Sequence, residues 1–156
     1  MKQRKGPYPS PSFAKLGSAD IVSPLVATIS GEFTVSKRGV PLGSVALPCR
    51  VADVWASVGA SGKDDSNTLS FAVNVKINGT TCLSTQPVIA HVSGEASTNK
   101  TTKETGDTGV TQAVLSSSNS VSVGDVITYD LVLTRTSSPT TEMANATVVV
   151  EFEPVF

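Results

Sequence analysis

The sequence is poor in the residues that do chemistry. It has one histidine, His91, so a histidine-based metal centre or a serine–histidine–aspartate triad would depend on one residue with no spaced partner. His91 is expected to be solvated or structural. Two cysteines, Cys49 and Cys82, cannot build a disulfide framework and are expected as reduced, small, buried hydrophobes. The nearest thing to a carboxylate pair is Lys63-Asp64-Asp65. Adjacent side chains on an extended chain point to opposite sides, and a calcium loop needs ligands at alternate positions, so this stretch reads as a solvated loop tip. The glycines stand singly at turns and form no phosphate-cradling run before a helix. These absences leave an enzyme little to work with: no catalytic residue, cofactor or metal ligand is expected.

Other absences bear on location and class. No run of eighteen apolar residues occurs, so no membrane-spanning helix is expected. Pro7, Pro9 and Pro11 interrupt the N-terminus where a secretory signal would need an apolar stretch, so synthesis in a cytosol without a secretory signal is expected. The matches to the glycosylation pattern at Asn78, Asn99 and Asn145 then carry no meaning. Charged residues are only 16% of the chain and the formal net charge is −1. That balance hides an asymmetry: Lys2, Arg4, Lys5 and Lys15 give the first fifteen residues +4, leaving −5 on the remainder. A body of that sign is not a general nucleic-acid binder. No segment carries a 3.6-residue apolar period long enough for a helix of three turns, which argues against α/β and α+β architectures.

What the chain does have is period two. Leu69, Phe71, Val73, Val75 and Ile77 alternate with Ser70, Ala72, Asn74 and Lys76, and Asn78-Gly79 follows at once, the residues that most cheaply supply positive φ to a two-residue type I′ turn. Counting out from that turn pairs Ile77 with Thr80, Val75 with Cys82 and Val73 with Ser84, placing Cys82 on the core side. Ile127, Tyr129, Leu131 and Leu133 form a second apolar face, and Ala146, Val148, Val150 and Phe152 a third. Shorter strands are expected at Glu32–Val35, closed by a turn at Lys37–Gly39, at Pro87–Val92 and at Val110–Leu115. Val45–Leu47 and Val51–Val58 read as a strand pair or one strand bent at Pro48. In the second of these, Ala52, Val54, Ala56 and Val58 point one way and Val51 and Trp55 the other, so either the strand is central or its Trp55 face meets a neighbouring subunit.

The expected fold is all-β: an antiparallel, jelly-roll-like β-sandwich of about seven or eight strands. Gly59–Asn67 and the long polar stretch Ser93–Gly109, exposed or wrapped on the surface, would link its sheets. At 156 residues the chain buries a core without staples. Residues 1–26 read as an extended N-terminal arm preceding a sandwich domain over 27–156, because prolines and serines there break every period. The arm is either an inert leader or a segment that orders on a partner. In the second case its contacts would come from the cations Lys2, Arg4, Lys5 and Lys15 and the apolar anchors Phe13, Leu16, Ile21 and Leu25.

Three stretches carry a family resemblance: Leu47-Pro-Cys-Arg-Val-Ala-Asp-Val-Trp-Ala-Ser-Val-Gly59, then Val73-Asn-Val-Lys-Ile-Asn-Gly-Thr-Thr-Cys-Leu-Ser84, then Val121-Ser-Val-Gly-Asp-Val-Ile-Thr-Tyr-Asp-Leu131. In their order and spacing they resemble a module of tailed-bacteriophage virion proteins: a strand ending in a Ser-Val-Gly-like turn, an Asn-Gly hairpin, a polar stretch and a Gly-Asp turn into a long strand. The resemblance implies a structural component of the particle with no catalytic residues to carry over. A short chain with one module and a basic arm suits a capsid decoration or cement protein, made in the host bacterial cytoplasm. Its place would be the virion surface, its partners the major capsid protein and copies of itself, as a homotrimer. The alternative is a receptor- or carbohydrate-binding module of a tail or head fibre.

Overall fold

The period-two segments become strands, and a nested set of pairings sorts them into two sheets. A computed structural model describes residues 22–104 and 106–155 of the chain. In order the strands are β1 Leu25–Glu32, β2 Lys37–Gly43, β3 Cys49–Ala60, β4 Ser70–Ile77, β5 Thr80–Thr81, β6 Leu83–Thr85 and β7 Val88–Ala90. They continue with β8 Lys100–Thr101, β9 Val110–Thr111, β10 Val114–Leu115, β11 Ser120–Val121, β12 Ile127–Thr134 and β13 Ala144–Pro154. One sheet has the order β1-β13-β3-β11 with β8 also on β3, and the other β2-β12-β4-β7-β9 with β5 also on β4. β6 and β10 form a separate two-stranded pair.

First strand therefore pairs with last (β1 with β13), second with second-last (β2 with β12), then β3 with β11 and β4 with β7, all antiparallel. A long antiparallel ribbon folded over itself in that way is a jelly-roll sandwich. The connections gather at its two ends: residues 33–36, 61–69, 91–99 and 135–143 at one, residues 44–48, 78–87 and 122–126 at the other.

The core lies between the sheets. Val54, Ala56 and Val58 of β3 and Ala146, Val148 and Val150 of β13 face Phe71, Val73, Val75 and Ile77 of β4 and Ile127, Tyr129 and Leu131 of β12. Phe33 packs edge-on against Phe71 with ring centroids 5.7 Å apart. Each such side chain withdrawn from water stabilises the fold by about 1.5–3 kcal/mol, so this interior accounts for the fold without a disulfide. Cys49 and Cys82 are free and buried in it. The Asn78-Gly79 turn has positive φ at both residues, 48° and 86°. The hairpin pairs Ile77 with Thr80, and the Cys82 amide donates to the Val75 carbonyl at 3.0 Å.

Several local expectations are corrected. The return strand leaves β4 after Cys82: Leu83–Thr85 pairs with β10, and the Val73 amide bonds to the Pro87 carbonyl instead of a partner at Ser84. The first strand is Leu25–Glu32, not Glu32–Val35, so Leu25 and Val26 belong to the sandwich and not to an arm. Leu25 lies opposite Val150 and packs partly buried against the core. Lys37–Gly39 is not a turn but the start of β2, held to β12 and fixed where the Gly39 amide donates to Asp130 Oδ1 at 2.7 Å. Residues 44–48 are the connection between sheets and not a strand.

In β3 the register shifts between Glu151 and Phe152, whose partners are Asp53 and Val51, leaving Ala52 as the extra residue of a bulge. The bulge reverses the alternation, so Val51 is buried with Val54 while Ala52 is exposed. Trp55 keeps its outward direction.

Candidate functional site

The end formed by residues 33–36, 61–69, 91–99 and 135–143 is not the solvated tip that Lys63-Asp64-Asp65 suggested. Its polar groups are paired with one another across loops distant in sequence. Asp64 is buried: Oδ2 accepts from Thr136 Oγ1 at 2.7 Å and Oδ1 from the Ser66 amide at 3.3 Å, and the Thr136 bond leads in holding its carboxyl below the usual range. Asp65 Oδ1 accepts from the Gly94 amide at 2.9 Å and from His91 Nε2 at 2.8 Å, and these bonds, the Gly94 amide first, bring its carboxyl down to about 2. A carboxylate only accepts, so His91 Nε2 is the donor in this pair; Nδ1 is buried without a partner among the described residues. His91 is thus a structural residue that ties β7 to the 61–69 loop.

The long polar stretch wraps the surface and is anchored by an unexpected residue. Lys100, opposite Val58 on β3, is buried, with its side chain 2% exposed. Its ammonium donates to Ala90 O at 3.0 Å, Thr108 O at 2.7 Å and Glu95 Oε2 at 2.7 Å, which uses all three donors. Glu95 also accepts from Thr108, and the Lys100 bond is the main reason its carboxyl lies below the ordinary range. Period counting missed this anchor because a lysine among Ser, Thr and Gly gives no apolar signal. Arg135 and Glu142 pair across the last loop of this end.

The opposite end is apolar. Leu47, Val123, Val126 and Val155 are exposed there, and a cleft of about 240 Å³ is lined by Val22, Ser23, Leu25, Ser44, Val45, Ala46 and Leu47. Its turns are locked together: Asn78 donates through Nδ2 to Asp125 Oδ1 at 2.7 Å and accepts at Oδ1 from the Val126 amide at 2.9 Å. The described chain begins at this cleft. Of the residues expected to make the arm's contacts, Lys2, Arg4, Lys5, Phe13, Lys15, Leu16 and Ile21 lie outside the described residues, and Leu25 is on β1.

A third surface is the outer face of the β1-β13-β3 sheet. In register across it run Val26, Val149 and Trp55, an apolar row, and beside them Glu151 and Asp53 stand opposite each other. Like charges in that position repel, and Lys103 bridges them, with Nζ 2.8 Å from Asp53 Oδ2 and 2.9 Å from Glu151 Oε1. Trp55 Nε1 donates to the same Glu151 oxygen at 2.9 Å, and the Lys103 ammonium lies 5.8 Å from the Trp55 ring centroid. Asp53 first and Glu151 second raise the Lys103 pKa, while Lys103 and then Trp55 lower that of Glu151. The apolar surface on the Trp55 face is thus that of exposed Val26 and half-buried Trp55, since Val149 between them is buried and Val51 faces inward.

Among the described residues no group of three or more histidine, cysteine, aspartate or glutamate side chains is placed to hold a metal ion. No protein-family model, curated protein or solved structure matches this chain.

Proposed function

We propose that the chain is a non-enzymatic structural component of a tailed-phage particle, a jelly-roll decoration or cement protein on the outer surface of the head. Its N-terminal basic segment attaches it to the major capsid protein and so stabilises the shell. The observation that carries this reading is where the three resembling stretches fall. Leu47–Gly59 runs into and along β3, Val73–Ser84 is the β4 hairpin and its return, and Val121–Leu131 is the Gly-Asp turn into β12. These are the central strands of the jelly roll and the turns that fix their order, so the resemblance lies on the architecture. Fold alone does not assign function; the basic N-terminal segment that the sequence shows adds the means of attachment.

Tail or fibre carbohydrate recognition is the weaker reading on geometry. A sugar-stacking platform needs an aromatic face open to solvent, and Trp55 is half-buried with its N–H committed to Glu151 and an ammonium near its ring.

The test is fractionation and rebinding. When virions carrying this protein are disrupted, it should leave with the heads; recovery with the tails would overturn the reading. Removal of residues 1–21, which spares β1, should leave the sandwich folded but weaken co-sedimentation with undecorated heads by about tenfold or more, a loss of about 1.4 kcal/mol or more. Undiminished binding would refute the role of the segment. The homotrimer that the resemblance implies is checked by light scattering of the isolated protein and of decorated heads.

A further inference from the structure

The outer face of the β1-β13-β3 sheet combines an indole ring, an apolar row and an excess of carboxylate. Asp53, Glu151 and Glu153 stand there against Lys103 and Arg50, which pairs with Glu153. The side chains of Asp53, Glu151 and Lys103 are each about 40% exposed, so the trio is open to a competing cation. Lys103 itself shows what the site accepts: a primary ammonium between two carboxylates and near the Trp55 ring, the arrangement that stabilises cations through charge and the ring quadrupole together.

The place where the described chain begins suggests the occupant. Leu25 lies opposite Val150 on β13, so the chain enters β1 level with Glu151, at the edge of this same face. Trp55 is two strands away, about 10 Å at ordinary strand spacing. Upstream lie 21 residues holding Lys2, Arg4, Lys5 and Lys15 against one carboxylate, Asp20. Lys15 is ten residues before Leu25 and can span up to about 33 Å, far more than the crossing needs. Phe13 and Leu16 lie on either side of it in sequence, so a cation near Trp55 brings apolar side chains to Val26, which is 54% exposed.

We propose that this sheet face is the docking surface for the chain's own N-terminal basic segment, with Lys15 entering beside Lys103 between Asp53 and Glu151 and near the Trp55 ring. The segment is then held on the sandwich in the free protein, and an acidic surface on a capsid subunit must compete for it. The docking concerns the isolated protein, so its failure leaves the particle reading standing, and the reverse holds too.

Trp55 is the chain's single tryptophan, which makes it the reporter. Acrylamide quenching of the full chain is compared with that of a chain lacking residues 1–21 and of a full chain carrying Lys2→Glu, Arg4→Glu, Lys5→Glu and Lys15→Glu, all changes outside the sandwich. At low salt the full chain should quench roughly twofold less than either variant, and about 0.5 M salt should remove most of the difference, because exposed charges are screened at that strength. Adding a synthetic peptide of residues 1–21 to the truncated protein should restore the protection. Equal quenching in all three proteins at low salt overturns the proposal. So does protection that survives the charge reversals, or protection that grows with protein concentration, which assigns the docked segment to another copy.

Discussion

Lys100 offers the sharpest test of how the fold is held together, because a single substitution removes one ammonium and little else. Lys100→Met keeps an unbranched stem of similar length, so no large cavity forms beside β3 and the change acts at the ammonium position. There, Ala90 O and Thr108 O lose their donor, at 3.0 and 2.7 Å, and Glu95 loses its countercharge. An orphaned buried acceptor costs about 1–3 kcal/mol, so the two carbonyls alone give roughly 2–6 kcal/mol. Water reaching in past Glu95, whose side chain is 24% exposed, trims the upper end. The expected loss is about 2–4 kcal/mol, or roughly 6–15 °C in melting temperature for a domain of this size. Urea unfolding followed by circular dichroism measures it, with the slope of the transition checking that only stability changed. Lys100→Met combined with Glu95→Met should recover part of the loss, because the stranded carboxylate goes too. A loss below about 1 kcal/mol at unchanged slope would show that water replaces the ammonium freely and refute the dry anchor.

Two further outcomes are expected. Asp65 has a folded-state carboxyl at about 2 against an ordinary 3.8, so the stability it contributes is fully present above about pH 4 and is lost as pH falls toward 2. Urea midpoints taken between about pH 5 and pH 2 should therefore fall, and Asp65→Asn should flatten the fall without abolishing it, since Asp64, Glu95 and Glu151 are lowered in the same direction; an unchanged slope in the variant would contradict the Gly94 and His91 bonds. Burial pushes the Cys82 thiol up to about 11 and raises that of Cys49, so a thiol reagent at mildly alkaline pH should label neither cysteine in the native protein and both in denaturant. Rapid labelling of either without denaturant would place that cysteine outside the core.

The segments readable from sequence are those whose structure is decided locally. Leu69–Ile77, Ile127–Leu133 and Ala146–Val150 alternate because one face of each meets the core, and Asn78-Gly79 turns because those two residues tolerate positive φ. All-β class and the inward Cys82 follow from that alone, and the sandwich from the long connections at Gly59–Asn67 and Ser93–Gly109 as well. Tertiary structure decided what depends on a distant partner. Leu25–Glu32 and Lys37–Gly43 are strands because β13 and β12 lie beside them, more than eighty residues along the chain in each case, and their own alternation is diluted by Ser, Thr, Gly and Lys. The bulge at Ala52 reversed the faces of β3, which no local period records. Most of all, Asp64 and Lys100 look like solvated loop residues in one dimension, and His91 does not show there which partner it meets, since a polar side chain can be buried only once its partner has been brought to it. Likewise the cations of residues 1–21 are plain in the sequence, whereas the pairing of Trp55 with Glu151, Asp53 and Lys103 exists only because β3, β13 and the stretch after β8 meet on one sheet face.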